Sequence, residues 1–305
     1  MPQIYFIIVT YNAMPWAERC FSSLQNSSVP VHTIVVDNGS TDGTQDFLTN
    51  IFPEVELIQS RENMGFGKAN NLGIEMAYKE GADFFYLMNQ DAWIFEDTVQ
   101  NLLAVFNNYE LKNEIGILSP MHLDGSGKNL DLFLDKYIAH NFENRLISDL
   151  YLKSVKSFYE LRFINAAHWF LPKKTIETVG GFNPYFFHYG EDQEYVNRLH
   201  FHGKKILLCA GSKAVHAGKQ NLDKVDYTKY EDLNIETNIL NPNFPKAYRK
   251  EKKALLQSIA KNLFLGNFKK AGELRKRSKK ISAQKDTLST LRNSVEKSGP
   301  TFLDI

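Results

Sequence analysis

Two carboxylates of this 305-residue chain stand where a carboxylate is costly to keep. Asp91 lies just beyond the apolar run DFFYLM, in LMNQDAWI. A charge at the tip of a buried strand must find a partner. A divalent cation bridging it to a diphosphate would meet that need and stabilise a departing phosphate. Asp192, in FFHYGEDQEYVNRL, opens a helical pattern in which Tyr195, Val196 and Leu199 follow on the same face. Its carboxylate is therefore expected to turn toward the protein, where it can accept a proton from a substrate hydroxyl. Glu194 and Arg198 are expected as a solvent-side pair, and Glu191 reads equally as a helix N-terminal charge or as a substrate contact.

Two further segments could hold a nucleotide. VVDNGSTDGT brings Asp37 to a strand tip, then turns at Gly39 into a capped helix. Asp37 there could accept from the N–H edge of a pyrimidine base, although good capping alone also explains the pattern. NMGFGKANNLGI places Gly65 and Gly67 in a turn that opens a helix with Lys68 at its start, which favours a diphosphate. The spacing is neither GxxxxGK[ST] nor GxGxxG, which argues against a nucleoside triphosphatase or a dinucleotide dehydrogenase. His168 and Trp169, in NAAHWF, suit either the core or the wall of a sugar site. His216 in AVHAG follows a strand, where a lone histidine is more often structural than a ligand.

These residues need elements to position them. IYFIIVTY, HTIVVD, VELIQS and DFFYLM read as buried strands, with helices near 15–27, 41–50 and 65–79 between them. That alternation implies βαβ units and an α/β fold with a Rossmann-like, mostly parallel central sheet. Ligands in such sheets bind beyond the carboxyl ends of the strands. Thr10-Tyr11-Asn12, Asp37-Asn38-Gly39-Ser40 and Asn89-Gln90-Asp91 end three of them, so one site is expected from three tips. The expected organisation is a catalytic domain over 1–220 (nucleotide-binding half 1–110, acceptor half 111–220), a linker over 221–245 and a basic helical extension over 246–305. Leu255, Ile259 and Leu263 recur at helical spacing, and the last twenty residues read as polar and mobile.

Composition sets the outer bounds. A hydrophobic share of 43% supports a sizeable core, which excludes global disorder. Cys20 and Cys209 show no metal spacing and read as buried thiols of a reducing compartment. The N-terminal apolar run lacks the basic start and small-residue cleavage site of a signal peptide, and no stretch approaches the roughly 20 apolar residues of a membrane span. A cytoplasmic protein is expected. The net charge of +1 hides an asymmetry: residues 246–305 hold 16 of the 36 Lys+Arg and 5 of the 35 Asp+Glu. Such a tail, beside an apolar stripe, fits an anionic membrane surface, a homodimer contact or helices packed on the catalytic part. Few aromatics and an acidic remainder argue against nucleic acid.

Taken in order, IIVTYNA, VVDNGSTDGT, ENMGFGKANNLGI, LMNQDAWI, VGGFNPYFFHYGEDQEYVNRL and VHAG resemble a family 2 glycosyltransferase of the GT-A fold. Within it they are most like the rhamnosyltransferase-like enzymes of bacterial surface polysaccharide synthesis. The resemblance spans roughly residues 3–218 and leaves out the basic helices. It implies nucleotide-sugar contacts at Thr10, Tyr11, Asn12, Asp37, Asn63, Gly65, Gly67, Lys68, Asn71, Asn89, Gln90 and Asp91. It implies Mg²⁺ or Mn²⁺ at Asp91, joined in some members by His216, and Asp192 as general base. Asn89 stands where the family has its first DxD acid, so metal binding rests more on Asp91. The implied reaction is inverting transfer from a UDP- or dTDP-linked sugar, dTDP-rhamnose among them, to a saccharide or lipid-linked saccharide hydroxyl. The alternative is a non-catalytic sugar-nucleotide-binding or scaffold protein of the same fold.

Overall fold

The computed structural model describes residues 1–139, 145–218 and 227–305, with side chains from 231 onward in the last segment. The first half follows the hydrophobic pattern. β1 (Ile4–Thr10), α1 (Met14–Gln25), β2 (His32–Asp37), α2 (Thr44–Ile51), β3 (Glu56–Gln59), α3 (Phe66–Lys79) and β4 (Phe84–Asn89) alternate as βαβ units. β1 pairs in parallel with β2 and β4, and β2 with β3. Period-2 alternation sends Tyr5, Ile7, Phe85 and Leu87 to one face, under α3. Ile4, Phe6, Ile8, Tyr86 and Met88 face the other, under α1. Gly73 lets α3 lie directly on β1, because a Cβ there would run into the Ile7 side chain.

The second half is mixed rather than parallel. It adds β5 (Ala92–Ile94), α4 (Thr98–Asn108), β6 (Ile115–Leu123), α5 (Leu132–Ala139), α6 (Leu146–Tyr151) and β7 (Phe158–Leu161). β8 (His168–Pro172), α7 (Lys173–Val179), α8 (Glu191–Phe201) and β9 (Lys205–His216) complete it. The strand order is β3-β2-β1-β4-β8-β6-β9-β5, with β7 also on β9. β8 runs antiparallel to both β4 and β6, whereas β9 runs parallel to β6. His216 is the last residue of the long strand β9, not part of a separate loop.

Within the segment expected as a linker, Tyr227–Leu240 is a helix, α9, and 221–226 lie outside the described residues. α10 (Ala247–Phe264) and α11 (Phe268–Ala283) form a hairpin through Gly266, and α12 (Lys285–Val295) follows. The last twenty residues are thus ordered against the expectation. Leu288 and Val295, seven apart on one helix face, are both buried. Beyond them Thr301 accepts a hydrogen bond from Gly181 N–H, and Leu303 and Ile305 pack on the core beside α3. The extension also joins the catalytic part directly, since Phe186 shares an apolar cluster with Ile239, Leu240, Ile281 and Leu288. Among the described residues no helix is long and apolar enough to cross a membrane.

Candidate active site

The sheet brings the three polar strand tips side by side, as the alternation implies, but it uses their side chains in unequal ways. Asp37 is fully buried. Its Oδ1 accepts from Gly39 N (3.2 Å), Ser40 N (2.9 Å) and Gln45 Nε2 (2.6 Å), and its Oδ2 from Thr10 Oγ1 (2.8 Å) and Ser40 Oγ (2.5 Å). Five donors saturate a carboxylate. In this structure Asp37 therefore shapes the turn, with both of its oxygens taken by the chain's own donors. Thr10, also fully buried, serves the same turn. Asn12 adopts φ 52° and accepts from Thr41 N–H (2.9 Å), closing the loop from the β1 side. Gln90 holds the neighbouring tip by accepting from Tyr11 N–H (2.7 Å) and donating to Tyr11 C=O (3.2 Å). What these bonds leave free is the Tyr11 ring, 48% exposed at the mouth of the site.

The glycine-rich turn behaves as its sequence predicts at its start and differently at its end. Asn63 Oδ1 accepts from Gly65 N–H (2.9 Å), and Gly65 adopts φ +86° with its Cα against the Phe187 carbonyl. A Cβ at Gly65 would collide with that carbonyl, so glycine is required twice over. Gly67 packs on Phe182 and faces Glu191. Lys68 is exposed in the first turn of α3, beside the helix N-terminus. Asn71 is buried instead. Its side chain accepts from Phe182 N–H (2.7 Å) and donates to Phe182 C=O (2.8 Å), so it fastens α3 to the loop before α8 rather than meeting a donor.

The turn after β4 holds the charge that the sequence singled out. Asp91 lies between β4 and β5, and its Oδ1 is 3.7 Å from Nε2 of His216. Asn89 Nδ2 is 3.4 Å from the same nitrogen, while Asn89 Oδ1 is buried without a hydrogen-bond partner. On the far side of the ring, Nδ1 lies 3.4 Å from Oδ2 of Asp131, a fully buried carboxylate. Burial pulls the His216 imidazole down, yet the nearby Asp131 and Asp91 carboxylates outweigh it and leave it above its ordinary value. Two carboxylates flanking one ring attract positive charge, whether proton or cation. Among the described residues no three His, Cys, Asp or Glu side chains converge as a complete metal cage. Asp91 and His216, with the Asn89 side-chain amide beside them, fit a cation that takes its remaining ligands from a diphosphate. The carboxylate–histidine arrangement at Asp131 is the kind that orients a ligating ring. Asp131 has no motif signal, since it follows an irregular loop and meets His216 only through the β6–β9 pairing.

At the start of α8 stand two adjacent carboxyl groups with different surroundings. Asp192 is half-buried and is pushed up to about 6, because burial outweighs the hydrogen bonds from backbone N–H groups. Glu191 is buried and pushed up to about 8, by burial first and then by the Asp192 charge. Its Oε2 has no hydrogen-bond partner. Near neutral pH one carboxyl is thus ionised and its neighbour protonated, a division of roles common in acid–base sites. Tyr137 on α5 is raised by burial and then by the Asp192 and Asp131 charges, so the α8 carboxylate and the carboxylate behind His216 act on a common neighbour.

Two residues take the core placement that their sequence left open, and one pair departs from its expectation. His168 is fully buried and bonds Tyr86 OH (3.1 Å) and Val215 C=O (3.1 Å). Trp169 is fully buried too, with Nε1 donating to Ile164 C=O and its ring stacked on Phe182. Both sit in β8 at the centre of the sheet, between β4 and β6, and neither offers a wall to a sugar. Glu194 and Arg198 are not on the solvent side: the pair is 3.0 Å apart and essentially inaccessible. Arg198 also donates to the carbonyls of Val179 and Gly181, which locks the glycine turn to α8. Truncating Arg198→Ala strands the Glu194 charge in the core, and we expect a loss of about 3–5 kcal/mol of folding stability in urea titration. A loss below about 1 kcal/mol would show that the pair does not brace this turn.

The Glycosyl transferase family 2 model matches residues 5–120, the part that carries the three polar strand tips of β1, β2 and β4 but neither Asp192 nor His216. The chain is 25% identical over 243 residues to the O-antigen chain rhamnosyltransferase WbaN of Salmonella anatum, covering 77% of this chain and 72% of that protein. It is 32% identical over 130 residues to an N-acetylglucosaminyl-diphospho-decaprenol L-rhamnosyltransferase of Mycobacterium tuberculosis (strain ATCC 25618 / H37Rv), spanning 40% of this chain and 41% of the relative. Among solved structures, S. aureus TarS 1-349 in complex with UDP-GlcNAc superposes with a TM-score of 0.53 at 15% identity, over 82% of this chain and 69% of that one. GalNAc-T7 with UDP, GalNAc and Mn²⁺ gives 0.58 at 12% identity, over 85% and 51%. At those identities the likeness is one of fold, the GT-A arrangement.

Proposed function

We propose that this chain, whose residues 5–120 belong to glycosyl transferase family 2, transfers a sugar from a nucleoside-diphosphate donor to an acceptor hydroxyl with inversion. The observation that carries the reading is the half-buried Asp192 carboxylate, raised to about 6 at the start of α8. Asp192 takes the proton of the acceptor hydroxyl, whose oxygen attacks the anomeric carbon from the face opposite the leaving group. The bond from that carbon to the phosphate oxygen breaks, and its electron pair departs on the nucleoside diphosphate. Lys68 and the α3 N-terminus meet part of that charge. A divalent cation held by Asp91 and His216 would supply the rest by binding the diphosphate oxygens. Asp131 keeps the His216 ring turned outward. The exposed Tyr11 ring offers a stacking face for the base, and protonated Glu191, with an unused oxygen, offers a hydrogen bond to the acceptor.

The rhamnosyltransferases among the relatives, one of them a dTDP-rhamnosyl transferase of Shigella flexneri, favour a deoxyhexose on a thymidine diphosphate, with a saccharide or lipid-linked saccharide as acceptor in surface polysaccharide synthesis. Thermal-shift measurement with Mn²⁺ and a panel of UDP- and dTDP-sugars tests the donor. A ligand at one hundred times its dissociation constant stabilises by about 2.7 kcal/mol, so the true donor should stand clear of the panel. We expect dTDP-rhamnose to give the largest shift and to release dTDP when an acceptor is added. Stabilisation without turnover on any hydroxyl acceptor would favour the binding-protein alternative, and no stabilisation by any sugar nucleotide would remove the proposal.

A further inference from the structure

The α10–α11 hairpin is closed inside by Leu255, Ile259 and Leu274, so its own seam is satisfied. Its tip is not. Phe264 is 91% exposed, Leu265 64% and Phe268 71%, and Leu256, two turns below, is 58% exposed. A hairpin turn facing only water is built from polar residues. Here two aromatic rings and a leucine stand together around Gly266 and face outward as a group. Charge surrounds them. Lys253, Lys261, Lys269, Arg275, Lys276 and Lys279 are exposed on the same two helices and form no ion pair among the described residues. Lys270, Arg277 and Lys280 are paired with Glu231, Asp232, Glu236 and Glu273, and Lys252 is spent on hydrogen bonds to Ser278 and Ser282. Of the unpaired cations, Lys261 and Lys269 lie within one turn of the apolar tip, and Lys253, Arg275, Lys276 and Lys279 follow about 10–17 Å back along the helices.

We infer that this tip is an interfacial membrane anchor: Phe264, Leu265 and Phe268 enter the headgroup boundary of an anionic bilayer while the surrounding lysines and arginines meet its phosphates. Apolar tips with basic rims bind at that depth without spanning. A second copy of the chain fits the same patch badly, because a two-fold contact would set one cationic rim against another. The anchor also has a route to the chemistry. The cluster of Phe186 with Ile239, Leu240, Ile281 and Leu288 joins the extension to the loop that leads into Glu191 and Asp192. A membrane-held hairpin therefore presents the acceptor side of the site to a lipid-borne substrate. The inference stands on the helices alone and does not depend on the identity of the donor.

Cosedimentation of the full chain with phosphatidylcholine vesicles, with and without phosphatidylglycerol, tests it. We expect binding to the mixed vesicles and little to phosphatidylcholine alone. Phe264→Ser/Phe268→Ser should weaken that binding roughly a hundred-fold, and Lys261→Gln/Lys269→Gln about thirty-fold. Both variants change exposed positions, so their thermal unfolding should match the parent's. In a Phe268→Trp variant, vesicles carrying brominated lipid should quench fluorescence beyond the change seen in the parent. Undiminished binding by the double serine variant, or no added quenching in Phe268→Trp, would overturn the anchor. Sedimentation velocity showing a dimer that the serine variant dissolves would assign the tip to a second copy instead. Equal or tighter binding to a single-stranded polynucleotide, lost in the same variant, would assign it to nucleic acid.

Discussion

Asp192→Asn is expected to reduce turnover by roughly 10²–10⁴-fold while donor affinity, read by calorimetry, stays within a factor of about two. The amide keeps the shape of the side chain and removes only its capacity to take a proton. Toward pH 8 the parent's rate should fall as Glu191 loses the proton it offers the acceptor, and below that it should rise with pH through about 6, where the Asp192 carboxyl ionises. The variant should lose that limb. Instability cannot account for the loss. Asp192 is raised from 3.8 in the unfolded chain to about 6 in the folded one, so the folded protein binds more protons between those values. Its contribution to stability is present below the unfolded value of 3.8 and disappears as the pH rises through about 6. Glu191, raised from 4.5 to about 8, extends the same decline toward pH 8. Above about pH 6 the asparagine variant should therefore be at least as stable as its parent. A variant with normal turnover and an unchanged pH limb would take the base role away from Asp192.

Asp91→Ala should act on a different step, the binding of the donor. Its carboxylate and His216 Nε2, 3.7 Å apart, are the two protein donors that converge beside the Asn89 side-chain amide. With Asp91 gone, the imidazole alone holds a hard cation poorly. Calorimetric titration of a sugar nucleotide should then give the same weak affinity with and without Mn²⁺, whereas the parent should bind roughly tenfold or more tightly with it. Equal affinity of the parent in both conditions would show that Asp91 serves the donor as a plain charge or not at all. Asn89 makes this test more demanding than for a site with two carboxylates, since a single lost ligand leaves little behind.

The sequence alone determined the strand tips, and with them where the proposed site would lie. Strands are local: β-branched runs with the right period fold as β1, β2 and β4 whatever follows, and their carboxyl ends must converge once they pair in parallel. Asp91 and Asp192 were legible for the same reason, one at a strand end and one on the inner face of a short helix. What the sequence could not fix was which tip residues remain free. Asp37 and Asp91 look alike as acids after an apolar run. Asp37 lies beside Thr10, Ser40 and Gln45, which saturate it, whereas Asp91 faces a histidine 125 residues away at the end of β9. The Glu194–Arg198 pair was misplaced, His168 and Trp169 were left between two readings and the packing role of Asn71 was not seen, because their partners come from distant segments: the glycine turn after α7, the interior of the sheet and the loop before α8. Asp131 went unseen for that reason as well. Local pattern sets the backbone and the face on which a side chain starts; only tertiary packing decides whether its polar atoms are already satisfied, and an unsatisfied polar atom is what is left to meet a substrate.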